Sequence, residues 1–152
     1  MSALHELISQ YGIEVDAHLD RDADIPVLTG PQAQGDIGIR PVRSRPEGGS
    51  RFRRLRAGIR RHTAAATPIP AGGVVVATGQ EGHEHRLLPG PARFDPVHPF
   101  PGSLLIGILT VPAGGEAYLA HDQHGYLGIG PGTYEVGGQR EWTPESWQRV
   151  ED

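Results

Sequence analysis

The chain has 152 residues, 37% of them hydrophobic, no cysteine and a formal net charge of −4. Such a length fits one domain with a single core, and the missing cysteines exclude a disulfide framework and thiolate metal ligands. No apolar run reaches the length of a membrane span. The start, Met1-Ser2-Ala3-Leu4-His5-Glu6, has neither a basic leader nor an apolar signal core, so the expectation is a cytoplasmic protein.

The 22 glycines and 14 prolines fall between apolar runs, as turns do in an all-β protein. Residues 2–11 read as a short amphipathic helix: Ser2 caps it, Leu4, Leu7, Ile8 and Tyr11 recur at helical spacing, and Gly12 stops it. Residues 13–33 are acidic and loop-like, carrying Asp16, Asp20, Asp22 and Asp24. Together these form an N-terminal unit, 1–34. Gly35 to Val42 alternates as a strand, and Pro41 suggests an edge position.

Between Arg40 and Arg61 nine arginines face one acid, Glu47, whereas five arginines face 17 acids in the remainder. Phe52, Leu55 and Ile59 would give a helix there a narrow apolar stripe, which Gly58 weakens. An arginine-rich loop that orders on binding is the equal alternative. The functional reading is a nucleic-acid footprint made by Arg51, Arg53, Arg54, Arg56, Arg60 and Arg61, with Phe52 free to stack on a base. An acidic surface, on this chain, a second copy or another protein, is the competing partner.

From Gly73 onward strand and turn alternate. Val74 to Ala77 is a buried-strand run, a hairpin-like turn over 79–82 leads into a strand from His83 to Leu88, and proline-rich residues 89–102 read as a crossing loop. Leu104 to Leu109 is the most apolar run and predicts a central strand; Glu116 to His121, Tyr126 to Ile129 and Thr133 to Trp142 complete the pattern. The fold expectation is mainly β, a small antiparallel β-barrel or sandwich over 35–142 with 40–61 inserted, a short N-terminal helix and a tail over 143–152.

Four of the eight histidines form two tight pairs, His83-Glu84-His85 and His121-Asp122-Gln123-His124. A His-x-His pair on a strand points both rings to one face, which is the simplest way to bring two imidazoles to one ion. His83, His85, His121 and His124 are therefore candidate ligands of a divalent metal, with Zn or Fe suited to imidazole donors. Asp122 and Glu135 are candidate carboxylates to ligate the metal or fix a ring tautomer. The alternative is a set of turn histidines satisfied by backbone groups or water. No residue pattern names a reaction.

The His-x-His strand, a later histidine on another strand and the Pro131-Gly132 turn resemble a cupin barrel, which implies a divalent metal inside the barrel. The usual glutamate after His85 is replaced by Arg86-Leu87-Leu88-Pro89, and no histidine follows the Pro-Gly turn. Gln34-Gly35-Asp36, Pro131 to Val136 and Gln139-Arg140-Glu141-Trp142, together with the histidine pairs, are also similar to short uncharacterised bacterial and phage proteins.

Overall fold

The structure is a computed structural model that describes residues 1–42, 66–79, 81–97, 101, 103–142 and 147–149. In chain order the elements are β1 (Ser2–Ala3), α1 (Leu4–Tyr11), β2 (Asp24–Ile25), β3 (Val27–Leu28), β4 (Gln32–Gln34), β5 (Ile37–Pro41), β6 (Thr67–Pro68), β7 (Val74–Thr78), β8 (Glu84–Leu87) and β9 (Arg93–Pro96). There follow β10 (Leu105–Val111), β11 (Ala117–His121), β12 (Gly125–Ile129), β13 (Gly132–Gly138), β14 (Arg140–Trp142) and β15 (Trp147–Arg149).

Two sheets carry the fold. One runs β4-β5-β13-β10-β9-β6 and the other β3-β12-β11-β8-β7. Period-two alternation decides what each strand buries. Ile37 and Ile39 of β5, Leu109 of β10 and Val136 of β13 meet Leu87 of β8, Leu119 of β11 and Ile129 of β12 in one core. Each such side chain contributes about 1.5–3 kcal/mol when fully buried. The intervening residues of the second sheet, Tyr118, Ala120 and Tyr126, face outward and pack against Leu4, Leu7 and Ile8 of α1. One sheet therefore has two apolar faces.

The expectation of a mainly β fold with one short helix holds. The two large sheets share no strand among the described residues, so they do not close into the barrel that was one of the two alternatives.

Several local readings are corrected. Helix α1 is capped by Ala3, whose backbone N–H donates to Glu6 (3.1 Å), because Ser2 is drawn into β1 against Ile25. Gly12 ends the helix in the left-handed region at φ 73°. The 13–33 segment contributes strands β2, β3 and β4, and β3 joins β12 in parallel. A strand, β9, lies inside the proline-rich 89–102 segment. There Phe94 is buried against β10 between exposed Arg93 and half-buried Asp95, and Pro96 closes the strand. Among the described residues Pro41 has a strand neighbour on one side alone, since β4 pairs with Ile37 to Ile39 and stops short of it. Residues 43–65, and with them all the arginines of the basic segment except Arg40, lie outside the described residues. Part of the expected tail forms β15, paired with β14 through Trp147 opposite Trp142. No helix among the described residues is long and apolar enough to cross a membrane.

Candidate metal centre

The histidine pairs converge at one end of the core. Strand parity puts His85 on the same side of β8 as the core residue Leu87, and His121 on the same side of β11 as Leu119. Both histidines are fully buried. The His85 and His121 ring centres are 4.3 Å apart, those of His121 and His124 are 4.4 Å apart, and His83 lies 5.9 Å from His121. Register explains the encounter. Strands β8 and β11 are hydrogen-bonded neighbours, and His121 sits opposite Gly125 where the β11–β12 hairpin turns, which carries His124 back over the cluster.

The opposite sheet supplies two buried polar residues, Gln34 and Asp36. They flank Gly35 in the turn from β4 to β5, where Gly35 adopts φ 56°. Gln34 Nε2 donates to Leu119 O (3.1 Å) and Gly125 O (3.0 Å), which uses both amide hydrogens. Its Oε1 must therefore accept from His85 Nδ1 at 3.0 Å. That places the His85 ring proton on Nδ1, and in the neutral ring the lone pair on Nε2. Asp36 Oδ1 stands 3.0 Å from that Nε2.

His83 is oriented in the same manner from the rim. Its Nδ1 lies 2.6 Å from Asp122 Oδ2, and its Nε2 meets the Gln123 amide at 3.1 Å. The bond to Asp122 raises the His83 pKa above its ordinary value. Burial pushes the Asp122 carboxyl up, but the bond and charge of His83 outweigh that and hold it below the usual range. His121 is set the other way round. Its Nδ1 accepts the backbone N–H groups of Gln123 (3.1 Å) and His124 (3.2 Å), while Asp122 Oδ1 stays 3.4 Å off. Its ring proton accordingly belongs on Nε2.

The chemical content of the arrangement follows from these assignments. Metal-binding histidines hold the ring N–H on an acceptor and offer the other nitrogen to the ion. His85 on Gln34 matches that pattern; His83 holds one nitrogen on Asp122 but its Nε2 is engaged by Gln123, and His121 does not match as it stands. Among the described residues no three His, Asp or Glu side chains already form a cation-ligating set.

Of the candidates named from sequence, His83, His85, His121, His124 and Asp122 come together. Glu135 does not join them. It lies on β13 between the core residues Tyr134 and Val136, so it points to the outer face, in register with exposed Arg40. Arg51, Phe52, Arg53, Arg54, Arg56, Arg60 and Arg61 lie outside the described residues. Sequence reasoning gave no role to Gln34 and Asp36. Their signal was two hydrogen-bonding side chains bracketing a glycine turn just before the apolar strand Ile37 to Ile39.

Residues 33–139 match the family described as Domain of unknown function (DUF8820). The chain belongs to that family. The matched region holds every residue of the polar cluster, from Gln34 to His124, and leaves α1 outside it. No curated protein and no solved structure matches the chain.

Proposed function

We propose that this chain binds one divalent cation at the His85–Asp36 pair, in a cupin-like manner, with the cation held between the two sheets. The observation that carries the reading is the 3.0 Å approach of Asp36 Oδ1 to Nε2 of the buried His85. A carboxylate oxygen and an imidazole nitrogen so close together and away from water form a pair that a proton or a metal ion can bridge. Two donors about 2.1 Å from one ion lie about 3.0–3.4 Å apart, so His85 and Asp36 would be able to share an ion, and an imidazole–carboxylate pair would suit Fe²⁺ or Zn²⁺.

His124, on the β11–β12 turn with its ring centre 6.1 Å from that of His85, is one source of a third donor. His83, with Asp122 fixing its tautomer, is another. His121 serves as ligand only if its ring turns away from the two amides that now occupy Nδ1. Held there by His85 and Asp36, an ion would supply the chemistry of metal-dependent hydrolases and oxygenases, acidifying water or polarising a substrate oxygen.

The test is elemental analysis of chelator-stripped protein reloaded with Fe²⁺ or Zn²⁺ and freed of excess ion. One equivalent is expected in the native chain and less than a tenth of that in His85→Ala or Asp36→Ala. Absence of metal in the native chain, or full retention in both variants, contradicts the proposal.

A second reading rests on the basic segment, in which nine arginines between 40 and 61 stand against one acid. It makes the chain a nucleic-acid-binding or assembly protein without enzymatic activity. Retention on heparin with a steep salt dependence, lost on deleting residues 51–61, is its expected signature.

A further inference from the structure

A second cavity lies on the outer face of the six-stranded sheet, across that sheet from the core. It measures about 480 Å³ and is lined by Gly38 and Arg40 of β5, Glu135 and Gly137 of β13, and Leu104 and Leu105 where β10 begins. Strand parity explains the set. Ile37, Ile39, Tyr134 and Val136 turn into the core, so the residues between them turn outward. In register, Gly38 stands opposite Gly137 and Arg40 opposite Glu135. The floor is therefore bare backbone, with a guanidinium and a carboxylate beside it.

The two floor glycines differ in what requires them. A Cβ on Gly137 would lie 2.8 Å from Leu104 O, so the packing of the chain demands glycine there. A Cβ on Gly38 would meet nothing nearer than Gln139 Cγ at 3.7 Å, an ordinary contact, and Gly38 does not adopt a positive φ. Glycine inside a strand weakens it, and one that the fold does not need marks the close approach of another group to the backbone. A plain cross-strand ion pair would need neither this floor nor the leucines beside it.

Charge complementarity indicates what that group is. Residues opposite each other in an antiparallel pair have Cα atoms about 4.5–5.5 Å apart, so Arg40 and Glu135 offer one cation and one anion side by side. They match a molecule that carries a carboxylate and an ammonium on a single carbon, and Leu104 and Leu105 match an apolar substituent. We propose that this cavity binds a free α-amino acid with an apolar side chain. Its carboxylate takes paired hydrogen bonds from Arg40, its ammonium donates to Glu135, and its side chain lies over Gly38 against the leucines. The site is separate from the buried His85–Asp36 pair and stands whether or not that pair holds a cation.

Isothermal titration of the full, chelator-stripped chain with four probes tests this. L-leucine has all three features, L-leucinamide lacks the carboxylate, 4-methylpentanoate lacks the ammonium, and glycine lacks the side chain. L-leucine is expected to fill one site per chain, at least about ten-fold more tightly than each of the other three. In Arg40→Gln its affinity should fall to that of L-leucinamide, and in Glu135→Gln to that of 4-methylpentanoate. Gly38→Val, whose Cβ the fold accommodates, should abolish binding while the denaturation midpoint holds. The two charge variants alter outward-facing side chains, so they decide the matter even if Gly38→Val does not fold. No saturation by about 10 mM L-leucine, equal binding of the truncated probes, or native affinity in Arg40→Gln and Glu135→Gln overturns the assignment.

Discussion

His85 Nε2 stands 3.0 Å from Asp36 Oδ1, although His85 lies on β8 of one sheet and Asp36 in the β4–β5 turn of the other. The contact joins the two layers at the end where the apolar core gives way to the histidine cluster. It is a buried pair, so removing one partner leaves an uncompensated polar or charged group. In metal-free protein Asp36→Ala is expected to cost about 3–5 kcal/mol, and His85→Ala a similar amount. The double variant should cost at least about 1 kcal/mol less than the sum of the singles. Urea denaturation of the four proteins measures this coupling, and simple additivity would show that the two groups do not interact.

Gln34 is the second link between the sheets. Gln34→Leu removes its bonds to Leu119 O, Gly125 O and His85 Nδ1 and leaves those groups unsatisfied in a buried site. A loss of about 2–4 kcal/mol is expected in urea denaturation. The variant should also release the His85 tautomer, seen as altered ring nitrogen shifts in ¹⁵N NMR. A loss below about 0.5 kcal/mol would show that the amide does not hold the site.

Gly128 marks where the parallel strand β3 meets β12. A Cβ there would lie 2.5 Å from Pro26 O and 3.1 Å from Val27 Cγ2. Backbone cannot yield as a flexible side chain does, so Gly128→Ala should push β3 off β12. Faster amide hydrogen exchange is expected at Gly130, whose N–H bonds to Leu28 O at 2.8 Å. Unchanged exchange with unchanged stability would contradict the placement of β3.

Tyr118 and Tyr126 sit beneath α1, and burial, the larger cause, pushes each phenol up to about 12. For Tyr118 the hydrogen bond to Glu116 at 2.6 Å adds to the rise. Folding favours the neutral phenols, so their contribution to stability is complete below the ordinary value of 10.0 and is lost as pH climbs toward about 12. Ultraviolet titration should show both ionising late, together with a decline in denaturation midpoint over that window. Ionisation of either tyrosine near its ordinary value in the folded protein would contradict the packing of α1 on this sheet.

Local periodicity made much of this fold legible. Alternation along 83–88 and 116–121 predicts strands, and the same parity that buries Leu87 and Leu119 carries His85 and His121 into the core. Strand β9 was hidden because prolines flank it, and a proline cluster reads as a loop until a partner such as β10 supplies the ladder. Whether the histidine pairs meet depends on strand order, which no local pattern encodes. Gln34 and His85 are 51 residues apart, and only the stacking of the two sheets brings them together. The capping of α1 was misread for a similar reason, because pairing of Ser2 with Ile25 is a long-range event.

Isothermal titration of chelator-stripped protein with Fe²⁺, under anaerobic conditions, tests the central claim most directly. One site per chain is expected, with an affinity at least a hundred-fold weaker in Asp36→Asn, a variant that keeps the shape of the side chain but removes its charge. No heat of binding in the native chain, or equal affinity in Asp36→Asn, would contradict a cation held by Asp36 and His85.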